Sequence, residues 1–281
     1  DDGAVVVPLL GGHHGANRLA RDIALALGGT AAVTTAGDVS LGISLDEPPL
    51  GWALVNHLDA KGAMAALLAG GGATVSGKER ASADWLVDLP AGDAVRLSCT
   101  IEPQTDLGPN HLQFAPQRVT VGVGCSRNCP SEELAGLVRS ALLNVGVCNA
   151  AVHSVNTISL KADEPAILDL AVSLGAPLRL FSAAELEAET PRLATPSDVV
   201  FAEVGCHGVS EAAALAQTGS DGVLWVQKCK TANATVALGL YPEPMTILRG
   251  AARGRLSVVG IGPGQAAWRT PEVSRLVADA Q

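Results

Sequence analysis

The sequence predicts an α/β protein: three-layer α/β/α domains on mostly parallel sheets, joined by a small loop-rich middle domain. Two observations carry this. From Val119 onward, short apolar strand patterns alternate with helical ones, and the chain opens with a strand, a glycine-rich loop, a helix and a second strand. Parallel strands need a long crossover, usually a helix, so such alternation sets helices on both faces of a sheet.

In chain order, residues 4–10 (AVVVPLL) read as a short buried strand whose end Pro8 turns towards an edge or bend. The loop Gly11-Gly12-His13-His14-Gly15 follows. Residues 16–27 then place Leu19, Ala20, Ile23, Ala24 and Leu27 on one helical face. Gly28-Gly29 ends that helix before a strand at 31–35. Residues 1–45 are read as what remains of an N-terminal α/β domain without its start. Residues 46–117 have another texture. A helix at 60–69 runs into Gly70-Gly71-Gly72, and β-like pieces at 73–75, 95–101 and 111–114 lie among Pro90, Gly92, Pro103, Gly108 and Pro109. This is the middle domain.

Residues 118–240 are read as a C-terminal α/β domain. Val119, Val121 and Val123 alternate as a strand, and Leu134, Leu137, Val138, Ala141 and Leu142 make a helical stripe. A strand at 154–160 leads to a helix at 165–174, closed by Gly175 as a C′ residue. The strand at 178–181 precedes Ser182-x-x-Glu185, a capping-box pattern. Residues 199–204 are read as a strand, followed by a helix from Ser210 and strands at 223–228 and 234–240. Residues 241–254, with Pro242, Pro244, Arg249 and Arg253, read as a linker. Residues 255–281 read as the strand–turn–helix start of a further domain.

Charge and cysteine content narrow the function classes. A net charge of −9 over 281 residues leaves no general basic face, so no nucleic-acid partner is expected. A local cluster of cations can still dominate one cleft and hold an anionic small molecule. The six cysteines are scattered through the chain, as reduced thiols of a cytoplasmic protein would be. No apolar run reaches the ~18 residues that suggest a membrane span, and Asp1-Asp2-Gly3 opens no signal peptide. A homodimer is one expectation for the assembly.

Four segments could carry chemistry. Gly11 to Asn17 joins a strand to a helix, where free N–H groups suit a carboxylate or phosphate. Gly12, Gly15 and Asn17 would line that seat, beside His13 and His14, or the segment is simply a tight turn with two exposed histidines. In Gly122-Val123-Gly124-Cys125-Ser126-Arg127-Asn128-Cys129, Arg127 could clamp a carboxylate and Cys125 could be an acidified nucleophile. Cys125 and Cys129 could also join Cys206 and His207 around a metal, although buried, inert thiols are the better reading. Lys161, Asp163 and Glu164 gather charge at a strand end, where α/β sheets bind ligands. Lys161 could pair with substrate carboxylates and Glu164 could act as acid or base; equally, Asp163 and Glu164 suit a helix N-terminus electrostatically. Ser210 reads as an N-cap, and Lys228 and Lys230 as an anion-binding edge or a solvated rim.

Several of these segments, in this order, resemble the cobalt-precorrin-5A hydrolase family of cobalamin biosynthesis. They are PLLGGHHGANRLARDIA with VTTAGD (8–24 and 33–38), VGVGCSRN (121–128), ISLKADEPAILDLA (158–171), PSDVVFAEVGCHGVSEAAAL (196–215) and 228–235. The resemblance implies opening of a corrinoid δ-lactone with loss of a two-carbon fragment as acetaldehyde, without a cofactor or a metal. It casts His13, His14, Lys161 and Glu164 as catalytic. Gly12, Gly15, Asn17, Gly124, Cys125, Arg127, Ser210, Lys228 and Lys230 would meet the polycarboxylate substrate. The tail at 254–280 resembles the opening of a tetrapyrrole methylase of the precorrin-3B C17-methyltransferase kind. There Gly260, Gly262 and Gly264 would line an S-adenosylmethionine cleft. The alternative role is a non-catalytic corrinoid-binding module serving that methylase.

Overall fold

The structure is a computed structural model and describes residues 6–7, 16–31, 40–105, 107–254, 258–260 and 270–278. Near the start, β1 (Val6–Val7) and β2 (Thr30–Ala31) pair in parallel, with α1 (Ala16–Leu27) between them in sequence. This is the strand–helix–strand unit that the sequence predicts. Ala20 and Ala24 are buried, while Leu19 and Leu27 of the same stripe stay exposed.

The middle region is better ordered than its loop-rich texture suggests. β3 (Trp52–Leu54), β4 (Ala73–Ser76), β5 (Val95–Cys99) and β6 (His111–Pro116) form a four-stranded sheet in the order β3-β6-β5-β4. β4, β5 and β6 run parallel and β3 antiparallel. α2 (Ala60–Leu68) contributes Ala63 and Leu67 to a core with Leu45, Leu97, Leu112 and Phe114. Trp85 sits edge-on to Phe114, ring centroids 5.0 Å apart. Strands of three to six residues are too short to show a hydrophobic period, which is why the sequence suggests loops here.

The C-terminal region is a six-stranded sheet in the order β10-β11-β7-β8-β9-β12. Its strands are β7 (Val119–Cys125), β8 (Val152–Ile158), β9 (Leu178–Phe181), β10 (Val223–Lys230), β11 (Ala234–Leu240) and β12 (Ala251–Ala252). Only the centre, β7-β8-β9, is parallel; β10, β11 and β12 pair antiparallel. The α/β class therefore holds with a mixed sheet. Residues 231–233 turn β10 straight into β11, so no helix makes that return.

α3 (Ser131–Asn144) and α4 (Pro165–Leu174) bury Leu134, Val138, Ile167 and Leu170 against Val119, Val121 and Val123. α7 (Ser210–Thr218) lies on the opposite face. It comes unusually close, because a Cβ on Gly122 would stand 1.9 Å from the Ser210 carbonyl oxygen. Fully buried Ala212, Ala213 and Ala214 let the helix settle there. Before it come α5 (Ala183–Glu187) and α6 (Asp198–Val204). Ser182 and Glu185 make both hydrogen bonds of the capping box.

Residues 199–204 correct the sequence reading, since they are helical rather than extended. Ser197 accepts the Val200 N–H as N-cap, and Gly205 closes the helix with φ +77°. A short apolar run such as VVFAEV has no period of its own; its flanking caps decided the outcome.

The segment 241–254, read as a linker, is strapped along the domain. Tyr241 N–H donates to Arg118 O and Met245 N–H to Gln117 O, each at 2.9 Å. The Ser82 hydroxyl reaches Glu243, and Gln217 Nε2 reaches Ile247 O. Arg179 donates to the carbonyls of Arg249 and Gly250. The strap ends as β12 on the edge of β9. α8 (Pro271–Ala278) follows near the end of the chain. Among the described residues no helix is long and apolar enough to cross a membrane.

Candidate functional site

The strand directions bring the sequence-predicted charges to one end of the large sheet. β7 ends at Cys125, β8 at Ile158 and β9 at Phe181. Ala234, at the start of antiparallel β11, pairs with Cys125, and Lys230 pairs with Thr235, so the β10–β11 turn lies at this same end. Residues 125–128, 161–164 and 230–235 thus share the carboxyl end of the parallel strands.

The loop after β7 is braced from both sides. Towards β11, Ser126 N–H donates to Asn233 O at 2.9 Å. Glu133 accepts from the Thr231 hydroxyl and from the backbone and side chain of Asn233, and these bonds hold its carboxyl below its ordinary range. Towards β8, Arg127 donates to Asp163 at 2.6 Å and to Leu160 O at 2.7 Å. That bond to Asp163 pushes the guanidinium up and the Asp163 carboxyl down.

Glu164 is the buried centre of this corner, 1% exposed. It occupies the N-cap position of α4 but does not cap its own helix. Its Oε1 accepts the Asn128 N–H at 2.9 Å, from a residue with φ +59°. Its Oε2 lies 3.6 Å from Arg127 Nη1 and 3.9 Å from Lys161 Nζ. A carboxylate buried this deeply needs such partners. Lys161 keeps 17% of its side chain exposed, and among the described residues no carboxylate lies closer to its ammonium than Glu164 at 3.9 Å.

Cys125 does not fit an activated nucleophile. Burial first, and then its neighbours Cys129 and Glu164, push its thiol up to about 12. Cys129 belongs to the core under α3 and α4, whereas Cys206 is buried in a separate apolar cluster. No group of three or more His, Cys, Asp or Glu side chains among the described residues is arranged to hold a metal ion.

The remaining sites divide. Ser210 is the first helical residue of α7, with Val209 at the N-cap position, so it is not itself the cap. Its hydroxyl is buried without a hydrogen-bond partner. Lys228 turns away from the open edge, its Nζ donating to Thr195 O at 3.3 Å, while Lys230 is exposed. Gly124 packs against Val209 and Thr235. Gly12, His13, His14 and Gly15 lie outside the described residues, as do Gly262 and Gly264; Asn17 lies in the first turn of α1. Of that loop, only Gly260 is among the described residues, and it has no described protein atom within 4 Å of where its Cβ would stand.

Two contacts escape the sequence reading. Glu211, 2% exposed, accepts the N–H groups of Ala194, Thr195 and Lys228 and the Thr195 hydroxyl. It ties the loop before α6 to β10. An acid directly before the apolar run AAAL was its only signal. The other is the contact of His207, named from sequence only as a metal-ligand candidate, with Glu187, 20 positions earlier in the chain.

Comparison with known proteins identifies the family of the chain. The family described as Cobalamin synthesis G N-terminal matches residues 1–38, and Cobalamin synthesis G C-terminus matches residues 119–239. Protein CobE of Sinorhizobium sp is 46% identical over 120 residues, covering 43% of this chain and 78% of that protein. The cobalt-precorrin-5A hydrolase of Priestia megaterium is 27% identical over 265 residues, covering 86% of this chain and 70% of its own length. That of Salmonella typhimurium is 29% identical over 255 residues, covering 85% and 72%. A crystal structure of CobE aligns with a TM-score of 0.43 at 34% identity over 46% of this chain and 93% of that one. With both its N-terminal and its C-terminal regions matched, the chain belongs to the cobalamin synthesis G family.

Proposed function

We propose that this chain opens the δ-lactone of cobalt-precorrin-5A, or of its metal-free analogue, with release of acetaldehyde. The observation that carries the reading is the meeting of Arg127, Lys161 and Glu164 at the carboxyl end of the parallel strands, with Lys230 exposed at that same end, in a chain whose net charge is −9. Ligands of open α/β sheets bind at that end, and a corrinoid bears many carboxylates that need cations there. The cobalt-precorrin-5A hydrolases among its relatives support the same chemistry.

Lactone opening needs an activated water and a donor for the developing oxyanion. Lys161 is the donor in this reading. Glu164, engaged by Asn128 N–H and two cations, holds Lys161 and the loop in place. That leaves proton transfer to a histidine, His13 or His14 among those the sequence singles out. Gly12, Gly15, Asn17, Gly124, Ser210 and Lys228 would complete the walls. The fusion to a precorrin-3B C17-methyltransferase using S-adenosylmethionine rests on the motif Gly260-Ile261-Gly262-Pro263-Gly264 alone. A cytoplasmic location and a homodimer belong to the same proposal.

One observation favours the second role, a corrinoid-binding module without turnover: Arg127 is already engaged by Asp163 and Leu160 O, and Glu164 by the Asn128 N–H. Incubating the chain with cobalt-precorrin-5A and measuring acetaldehyde separates the two. Acetaldehyde in step with corrinoid consumed supports hydrolysis; tight binding without acetaldehyde selects the module.

A further inference from the structure

A polar cluster that the sequence leaves unassigned faces the strand ends from the α7 side. Cys206 is buried in one apolar cluster with Ile158 and Phe181, the last residues of β8 and β9. Val209 leans on Gly124, near the end of β7. His207, between them, is therefore carried at the same end of the sheet as Lys161, from the opposite face to α3 and α4.

Its imidazole is held on several sides. Nδ1 lies 2.9 and 3.0 Å from the two carboxylate oxygens of Glu187. Glu187 Oε2 also accepts the His207 backbone N–H and the Thr190 hydroxyl, each at 3.0 Å. The hydrogen bond from His207 holds the Glu187 carboxyl below its ordinary range. Phe201 stacks on the ring, centroids 4.5 Å apart and planes 25° apart. The His207 carbonyl accepts the Ser197 N–H at 2.8 Å. A carboxylate on Nδ1 fixes the proton there and leaves Nε2 as the exchanging atom. The neighbour of Nε2 is Asp198 Oδ1 at 3.4 Å, on a fully exposed side chain free to swing aside. The charged groups facing the ring are thus Glu187 from α5 and Asp198 from α6.

We propose that His207 is the proton-transfer residue of lactone opening, with Glu187 as its positioning residue. The proposal rests on the hydrolase reading above and puts His207 in the role otherwise left to His13 or His14. Nε2 takes a proton from water as the water oxygen bonds to the lactone carbonyl carbon. The ring C–O bond then breaks, and Nε2 returns the proton to the leaving oxygen. This adds water and leaves a carboxylic acid and an alcohol. Acetaldehyde then departs as the alcohol loses its proton and becomes a C=O, the C–C bond to the macrocycle breaks, and the macrocycle keeps that electron pair and takes up a proton.

The test compares the full chain with His207→Gln, His207→Ala and Glu187→Gln, following acetaldehyde from cobalt-precorrin-5A across the neutral pH range. Corrinoid binding and thermal unfolding are measured beside it. His207→Gln keeps an N–H donor for Glu187 and should stay folded. It should lose about 100-fold in kcat with binding changed less than about threefold. Added imidazole should restore part of the activity of His207→Ala, and Glu187→Gln should displace the pH profile. Undiminished kcat in His207→Gln, or a folded His207→Ala that imidazole does not rescue, overturns the proposal and leaves the hydrolase reading intact. Absence of acetaldehyde from the unmodified chain overturns both.

Discussion

Gly122→Ala tests the contact on which the site's geometry depends. On the Gly122 backbone an added Cβ would stand 1.9 Å from Ser210 O, 2.6 Å from Ala214 N and 3.0 Å from Ala214 Cβ. All three atoms belong to α7, so no flexible side-chain end can move aside. Reaching ordinary contact requires α7 to retreat by about 1.5 Å. That retreat breaks the bond from the Thr120 hydroxyl to Ala214 O, now 2.9 Å. Overpacking of this kind costs roughly 1–3 kcal/mol and the lost hydrogen bond roughly 1 kcal/mol more. A loss of about 2–4 kcal/mol is a large part of the ~5–15 kcal/mol that holds a domain folded. Urea unfolding at neutral pH measures it. Gly136→Ala, inside α3 with open space around it, is the control and should gain up to ~1 kcal/mol. A Gly122→Ala loss below ~0.5 kcal/mol would show that α7 does not press on β7.

Three further outcomes follow from named contacts. Glu164→Gln, at a carboxylate 1% exposed, should cost roughly 1–3 kcal/mol in urea unfolding and weaken corrinoid binding; unchanged stability and affinity would refute its bracing role. His153, 6% exposed, is pushed down to about 4 by burial and then by Arg179. The unfolded chain therefore binds its proton first, so stability falls as pH drops from 6.5 towards 4, by on the order of 3 kcal/mol. In His153→Leu that acid slope should flatten, and an unaltered slope would contradict the assignment. With its thiol up at about 12, Cys125 should take up iodoacetamide at neutral pH at least ~10-fold more slowly than a free cysteine. Peptide mass spectrometry reads the rate; labelling at the free-thiol rate would refute the buried setting.

Much of the fold was legible because its longer elements carry their own periods and stops. The β7 alternation, the α3 stripe, Gly175 and the Ser182–Glu185 box all stand where the pattern sets them. Residues 199–204 misled because a six-residue apolar run fits either period, and only its flanking caps distinguish them. The antiparallel return of β10 into β11 depends on the turn at 231–233, whose Thr-Ala-Asn sequence is no strong hairpin signal. At the site, charge after a strand end was readable as a location. Its partners were not: Arg127 meets Asp163 and Asn128 meets Glu164 across 36 positions each. The contacts of Glu211 and of His207 with Glu187 were hidden for the same reason, since burial of a carboxylate and a carboxylate–imidazole contact exist only once α5, α6 and α7 are packed.

The six-stranded sheet ends in β10 on one side and, on the other, in the two residues of β12 laid along β9. Along β10 the register breaks twice, between Leu224 and Val226 and again between Val226 and Cys229, and the strand finishes in Lys228-Cys229-Lys230. Irregular pairing and lysines both discourage a neighbouring molecule from adding a strand. Crowded copies should therefore stay apart instead of growing into ribbons, and cutting the chain before Gly250 would uncover the β9 margin and remove that protection.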